Sequence, residues 1–130
     1  MIYSLRKEKN LYKEKNTDFN YNNDLIKYIK RIIDENINKK ITLPYLSDIT
    51  GYSVSYISKF FKKNTGKTII DYILEKRIEK AKEYILEGKR SFSEISSMLG
   101  FKTLQYFSIQ FKQQTNMTPS QYDKSIKLAK

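Results

Sequence analysis

The 130-residue sequence contains neither cysteine nor histidine, and these two absences exclude several classes of chemistry. A chain without cysteine has no disulfide framework, no thiolate nucleophile and no cysteine-based zinc cluster. A chain without histidine also lacks the commonest general base, and only scattered serine, lysine and glutamate side chains remain as candidates for acid–base work. We therefore expect no enzymatic activity, no catalytic residue, no metal site and no cofactor.

Long apolar runs are missing as well. The segment that begins at Met1 lacks the apolar stretch of about 7 to 15 residues that marks a secretory signal. Nowhere do about 18 apolar residues follow one another, as a membrane-spanning helix requires. We therefore expect a soluble cytoplasmic protein with no membrane partner. The apolar fraction of 39% is nevertheless sufficient for the core of one compact domain.

The charge of the chain is unbalanced and unevenly distributed. Lysine and arginine total 25 against 14 acidic residues, and the net charge of +11 favours a polyanionic partner. No acidic residue lies between Asp48 and Asp71 or between Glu94 and Asp123, although the segment between these windows is rich in glutamate. A general excess of lysine would be spread evenly, so this segregation favours a surface that faces a polyanion.

Helical signals dominate the sequence after residue 20. Apolar residues recur every three to four positions, which predicts helices and no strand. The candidate N-cap residues precede apolar runs, and glycines follow three of these runs. The caps are Thr42, Ser53, Thr68, Ser91, Thr103 and Thr118, and the glycines are Gly51, Gly66 and Gly88. We expect an all-α fold, a seven-helix bundle preceded by a mobile leader over residues 1–20.

Part of the sequence is repeated. Residues 46–51 align with residues 95–100 at an offset of 49, and residues 56–72 align with 106–122 at an offset of 50, with seven identities. The repeated pattern of short helix, glycine-containing turn and second helix predicts two helix-turn-helix subdomains. Their predicted ranges are 43–64 and 92–114, joined by a linker helix over 69–87 and followed by a C-terminal helix over 119–127.

The second helix of each repeat has an apolar face and a polar face. We expect the apolar residues to pack inward, and we interpret the aromatic residues at helical spacing as core rather than as platforms for single-stranded bases. The inward set is Val54, Ile57, Phe61, Leu104, Phe107 and Phe111, and the aromatic set is Tyr56, Phe60, Tyr72, Tyr106 and Tyr122.

These segments resemble the DNA-binding domain of AraC/XylS-type transcriptional regulators. The resemblance covers about residues 24–123 and rests on LSDITGYSVSYISKFFKK at 46–63, ISSMLGF at 95–101 and MTPSQY at 117–122. It implies two helix-turn-helix units, regulation of transcription by activation, and contact with RNA polymerase. It is closest in kind to small members of the family that lack an effector domain, and the initial Met1 favours a complete chain.

The resemblance also implies which residues meet double-stranded DNA. The recognition helices over 54–63 and 104–114 would enter adjacent major grooves, because a linker of about 20 residues is roughly 30 Å long and one DNA turn is about 34 Å. A monomer would then read an asymmetric site. The implied base-reading residues are Ser55, Ser58, Lys59, Gln105, Ser108 and Ile109. The lysines expected to contact phosphate are Lys62, Lys63, Lys67, Lys102 and Lys112.

Three positions depart from the family pattern. Ile109 stands where arginine or lysine is common, so the second unit loses a guanine-directed donor and offers contact with a thymine methyl group instead. Asn116 replaces a common glycine, and asparagine tolerates the left-handed conformation. Asp123 replaces a common arginine, which should weaken phosphate contact at that point.

Two other interpretations remain open. The chain could be a helical protein-interaction module in which Ile109 is an exposed apolar anchor and the lysines only solubilise the surface. It could also be the DNA-binding fragment of a larger effector-responsive regulator. Salt dependence separates the first alternative from DNA binding, because phosphate contacts weaken steeply with salt and an apolar interface does not.

Overall fold

The computed structural model describes residues 18–129, with side chains described from Asn23 onward, and this part of the chain is all α-helical. Its seven helices confirm the predicted fold class. They are α1 (Asp18–Glu35), α2 (Leu43–Thr50), α3 (Val54–Thr65), α4 (Ile69–Glu87), α5 (Phe92–Met98), α6 (Leu104–Thr115) and α7 (Pro119–Leu128). None of the described helices is long and apolar enough to cross a membrane.

The predicted leader ends earlier than expected. Residues 1–17 lie outside the described part of the chain, and α1 begins at Asp18, so the prediction was wrong for residues 18–20. The first turns of α1 are mostly polar, with Phe19 and Tyr21 among five polar residues, and Leu25 is the first residue described as buried. Apolar spacing marks only the part of a helix that packs against a core, so it misses a mostly polar start.

The predicted N-caps are confirmed in atomic detail. The six hydroxyl oxygens each accept a hydrogen bond from a backbone amide three residues later, over 2.9–3.1 Å. Ser91 and Thr118 form full capping boxes, in which the side chains of Glu94 and Gln121 accept hydrogen bonds from the cap amides. Each cap stabilises its helix by about 1 kcal/mol, which explains why the helix starts could be predicted so closely.

The described residues form two compact units. The first contains residues 18–36 and Ile41–Tyr72, and the second contains Ile37–Lys40 and the chain from Ile73 onward. In the first unit, fully buried side chains come from α1, α2, α3 and the start of α4, and they include Leu25, Ile29, Ile33, Leu46, Ile57, Phe61 and Ile69. The second unit buries Ile78, Ala81, Tyr84, Ile85, Ile95, Leu99, Phe101, Phe107 and Phe111.

The inward set was predicted correctly except at the first residue of each helix. Ile57, Phe61, Phe107 and Phe111 are fully buried, but Val54 is only half-buried and Leu104 is 44% exposed. Val54 and Leu104 are the first residues of α3 and α6. At the first turn of each helix, the apolar stripe extends beyond the neighbouring helices. The side chain therefore lies on the predicted side of the helix but is only partly covered.

The aromatic set was predicted only in part. Tyr72 and Tyr122 are half-buried, as is Phe60, whereas Tyr56 is 40% and Tyr106 47% exposed. Tyr56 and Tyr106 each precede a fully buried residue by one position, about 100° round the helix, and so lie beside the core rather than in it. Assigning these two tyrosines to the core was therefore wrong.

Candidate nucleic-acid interface

In the first unit, α3 turns one face fully outward. Ile57 and Phe61 are fully buried and fix the rotation of the helix. Lys59 follows Ile57 by two residues, about 200° round the helix, and therefore lies opposite the core. Both Lys59 and Ser55, one turn earlier, are exposed. The structure thus brings these two predicted base-reading residues together on one accessible face.

In the second unit, α6 has the same arrangement. Phe107 and Phe111 are fully buried, and Ile109 lies opposite them with 48% of its surface exposed. Gln105 lies one turn before Ile109 and is exposed. The outermost residue of the second helix is therefore apolar, whereas its counterpart in the first helix is a cation.

The two predicted serines are less accessible than the residues beside them. Ser58 and Ser108 are half-buried, because each follows a fully buried residue by one position and lies at the side of its helix. Ser58 also lines a groove of about 660 Å³ in the first unit, together with Leu43, Lys59, Lys62, Lys63, Thr68, Ile69 and Ile70. A partner would have to approach along the flank of the helix to reach either hydroxyl.

The lysines predicted to contact phosphate are all exposed; they are Lys62, Lys63, Lys67, Lys102 and Lys112. Among the described residues, no carboxylate pairs with Lys59, Lys62, Lys63, Lys102 or Lys112. The two acid-free windows explain this, since neither segment supplies a partner within reach along the chain. Within the described residues, the ammonium groups of Lys59, Lys62, Lys63, Lys102 and Lys112 are therefore not neutralised by a carboxylate.

Several cations elsewhere in the second unit pair with carboxylates. On α4, Lys76 lies 3.9 Å from Glu79 and Lys80 lies 3.3 Å from Glu83, both one turn apart. On α7, the Lys127 ammonium lies 3.1 Å from the Asp123 carboxylate. Such exposed pairs stabilise the fold by less than about 1 kcal/mol each, but they cancel charge. The two acid-free windows, which contain α3 and α6, thus carry lysines and no acidic residue to offset them.

Sequence reasoning missed the position of Tyr56 and Tyr106, which lie exposed beside the outward faces. The ring of Tyr56 stacks between Tyr52 and Phe60, at centroid distances of 4.7 and 5.7 Å. Tyr106 packs against Phe101 with centroids 6.0 Å apart. The repeat itself carried a usable signal, because a residue one position before a buried anchor lies beside the core in both copies.

The comparisons with known proteins agree with this geometry. A sequence model of the helix-turn-helix domain family matches residues 46–125. The chain is 32% identical over 100 residues to the bifunctional transcriptional activator/DNA repair enzyme AdaA of Bacillus subtilis, covering 77% of this chain and 47% of that protein. It is 37% identical over 84 residues to the xylose operon regulatory protein of Escherichia coli, covering 65% of this chain and 21% of that protein. It spans less than half the length of either relative.

Solved structures give the same result. The C-terminal domain of the two-component response regulator yesN from Fusobacterium nucleatum superposes with a TM-score of 0.73 at 38% identity, over 77% of this chain and 98% of that one. The DNA-binding domain of the global transcriptional factor AdpA, solved in complex with a target DNA, superposes with a TM-score of 0.75 over 81% of this chain and 95% of that one. Its identity is only 15%, so it supports the fold alone.

Proposed function

Because this chain belongs to the AraC/XylS family of helix-turn-helix DNA-binding domains, we propose that it binds a specific site in double-stranded DNA and regulates transcription from that site. The observation that carries the proposal is found twice, on α3 and on α6. Each helix has a fully buried apolar face, formed by Ile57 and Phe61 on α3 and by Phe107 and Phe111 on α6, and, opposite it, an exposed face free of acidic residues. A helix of this kind fits the major groove of B-DNA.

The outward side chains of α3 and α6 are proposed to read base edges. The Lys59 ammonium suits the O6 and N7 acceptors of guanine, and Ser55 donates or accepts a hydrogen bond beside it. In the second unit the Gln105 amide suits the N6 and N7 atoms of adenine. Ser58 and Ser108 lie at the flanks of the two helices. Each can form a hydrogen bond only where the wall of the DNA major groove reaches it.

The five exposed lysines named above are proposed to contact phosphates. Phosphate contacts supply most of the affinity and little of the sequence preference, because every duplex presents the same backbone. Lys62 and Lys112 occupy equivalent positions on α3 and α6 and are the strongest candidates.

We further infer that the chain activates transcription through contact with RNA polymerase in the cytoplasm. The support is the family resemblance and one relative that carries the name of a transcriptional activator. A monomer in solution suffices for binding, since one chain supplies both recognition helices.

Selection of binding sites from a random duplex library tests the proposal, followed by titration of the selected duplex against salt. We expect two enriched boxes, one for each recognition helix, and a slope of log affinity against log salt of about −0.9 per phosphate neutralised. Lys62→Ala and Lys112→Ala should each flatten the slope by about one and weaken all duplexes alike. Lys80→Ala is the matched control, because Lys80 pairs with Glu83 on α4 and its loss should leave the slope unchanged.

Three results would contradict these assignments. A sequence-selective loss in Lys62→Ala or Lys112→Ala would remove the phosphate role of that lysine. Enrichment of a single box would mean that only one helix reads bases. If no sequence is enriched and binding ignores salt, DNA binding itself is refuted, and a protein-interaction module becomes the better description.

A further inference from the structure

Ile109 occupies the most outward position of α6 and is about half exposed. The buried rings of Phe107 and Phe111 lie on the opposite side of the helix and hold its rotation. With 48% of its surface exposed, Ile109 stands in the position that Lys59 has on α3. The fold therefore presents an aliphatic side chain where the first unit presents a cation.

The surroundings of Ile109 are mostly polar and carry no negative charge in the sequence. Gln105 and Lys112 lie one turn before and one turn after it on the same face, and both are exposed. Tyr106, one turn before Ile109 at the side of the helix, adds a ring with 47% of its surface exposed. No acidic residue occurs in residues 95–122. An apolar anchor for a protein partner is usually part of a larger apolar patch, whereas Ile109 and the Tyr106 ring are flanked by an amide and an ammonium group. The charge pattern selects DNA as the partner of this face.

A side chain of this kind has one apolar target in the major groove. The base edges there present hydrogen-bond donors, acceptors and a single apolar group, the C5-methyl group of thymine. Ile109 has no hydrogen-bonding atom, so guanine and cytosine offer it nothing beyond the desolvation of their polar edges. The neighbouring Gln105 amide suits the adenine of an adjacent base pair.

We propose that Ile109 is a specificity-determining residue that reads a thymine C5-methyl group, so that the second unit selects an A·T-containing half of the site. This inference rests on the proposed function and names the base that the second recognition helix prefers. The whole site is then asymmetric in chemistry, with a guanine-directed cation in one half and a methyl-directed side chain in the other.

Replacement of thymine by deoxyuridine in the selected duplex isolates the methyl group, because deoxyuridine pairs like thymine and lacks only the C5-methyl group. In the wild-type chain we expect replacement in the second box to weaken binding about fourfold, the factor that corresponds to one buried methyl group. In Ile109→Ala the same replacement should have no effect. Ile109→Val, which keeps a branched aliphatic group, should retain part of the discrimination.

Leu86→Ala is the matched control. Leu86 is an aliphatic residue of α4 with 60% of its surface exposed, so its loss removes a similar apolar area away from the proposed recognition helices. It should leave the ratio of thymine to deoxyuridine affinity in the second box unchanged. Because Ile109 is exposed and contributes little to the core, circular dichroism should show unchanged helicity in the Ile109 variants.

The outcomes separate this inference from the proposed function. Salt-dependent, sequence-specific binding without a thymine preference in the second box overturns the role of Ile109 and leaves DNA binding intact. Discrimination that persists in Ile109→Ala assigns the methyl contact to another residue and also overturns the inference. Absence of any enriched duplex refutes the proposed function, and with it the role of Ile109 on DNA; the apolar side chain is then an anchor for a protein.

Discussion

The two helix-turn-helix units repeat their buried contacts closely and differ in what they expose. The rings of Phe61 and Tyr72 meet edge to face with centroids 5.6 Å apart at 64°, and those of Phe111 and Tyr122 meet at 5.5 Å and 64°. Outside these contacts, α3 presents lysine where α6 presents isoleucine. Packing constrains the inner residues of both copies, while the outward residues are free to differ in chemistry.

The polar contacts at the helix ends are repeated as well. Thr65 Oγ1 donates a hydrogen bond to the Phe61 carbonyl over 2.7 Å, and Thr115 Oγ1 donates to the Phe111 carbonyl over 2.8 Å. Each threonine also accepts from the amide two residues later, over 3.2 and 3.1 Å. The identity of Thr65 and Thr115 in the repeat is thus explained by hydrogen bonds at the end of α3 and of α6 rather than by ligand binding.

The largest expected effect is a loss of stability, and it tests whether the cores of the two units are equivalent. Phe61→Ala and Phe111→Ala should each lower the free energy of unfolding by about 3–5 kcal/mol, because each ring is fully buried and its loss leaves a cavity. Urea titration followed by circular dichroism measures both. Ile109→Ala is the surface control and should change stability by less than about 0.5 kcal/mol. A cost under about 1 kcal/mol for either phenylalanine would contradict its role as an anchor.

A smaller effect tests the difference between the outward faces. Lys59→Ala should cost about 1–3 kcal/mol of binding free energy and relax the preference at one position of the first box. Site selection with the variant measures the preference directly. Lys63→Ala removes the same charge from the same helix and should weaken binding without changing the selected sequence. An unchanged preference in Lys59→Ala would refute base reading by Lys59.

The C-caps of the two recognition helices offer a finer comparison. Gly66 (φ 82°) ends α3, and Asn116 (φ 67°) ends α6, both in the left-handed region. A Cβ added at Gly66 would meet no atom within 4 Å, so Gly66→Ala should cost only the backbone strain, about 1–2 kcal/mol. Gly66→Asn should cost less than about half as much, because asparagine tolerates this conformation. Equal losses of unfolding free energy in the two variants would contradict this account.

The smallest expected effect concerns the starts of α2 and α5. The hydrogen bond from the Ser91 amide to Glu94, at 2.9 Å, together with the Ser91 hydroxyl and the charge of Arg90, lowers the pKa of Glu94. Because the folded-state pKa lies below the ordinary value of about 4.5, the contribution to stability is full above that pH and is lost as the pH falls through the folded value. The third helical residue of α2 is Tyr45, which supplies no carboxylate to the cap.

Urea unfolding measured at several acidic pH values checks this difference. Glu94→Gln is the matched control, because glutamine keeps the acceptor of the capping box and removes the titration. The wild-type midpoint should fall more between about pH 5 and about pH 3 than the midpoint of Glu94→Gln. Parallel curves for the two proteins would show that the carboxylate of Glu94 contributes nothing.

Most of the fold and the outward faces could be predicted, and the failures share one physical cause. Lys59 and Ile109 lie where the helical spacing predicted, because a fully buried anchor two residues away determines the opposite side of a helix. The predicted burial was wrong for Leu104, Tyr56 and Tyr106. The helical spacing gives the side of the helix on which a residue lies, but not how far neighbouring elements cover that side. Ser58 and Ser108 lie at the boundary, and the neighbouring elements decide how much of each remains accessible.

The sequence by itself determined the helices, their ends from α2 onward and the internal repeat, since the signals for these features act over three or four residues. Only the tertiary structure decided contacts between distant positions. In the second unit, the Arg77 Nη2 atom donates a hydrogen bond to the Lys39 carbonyl over 2.9 Å, and its guanidinium would lie 3.2 Å from a Cβ at Gly100. No local pattern predicts such a contact, because it depends on where chain packing brings residues that are 38 and 23 positions apart.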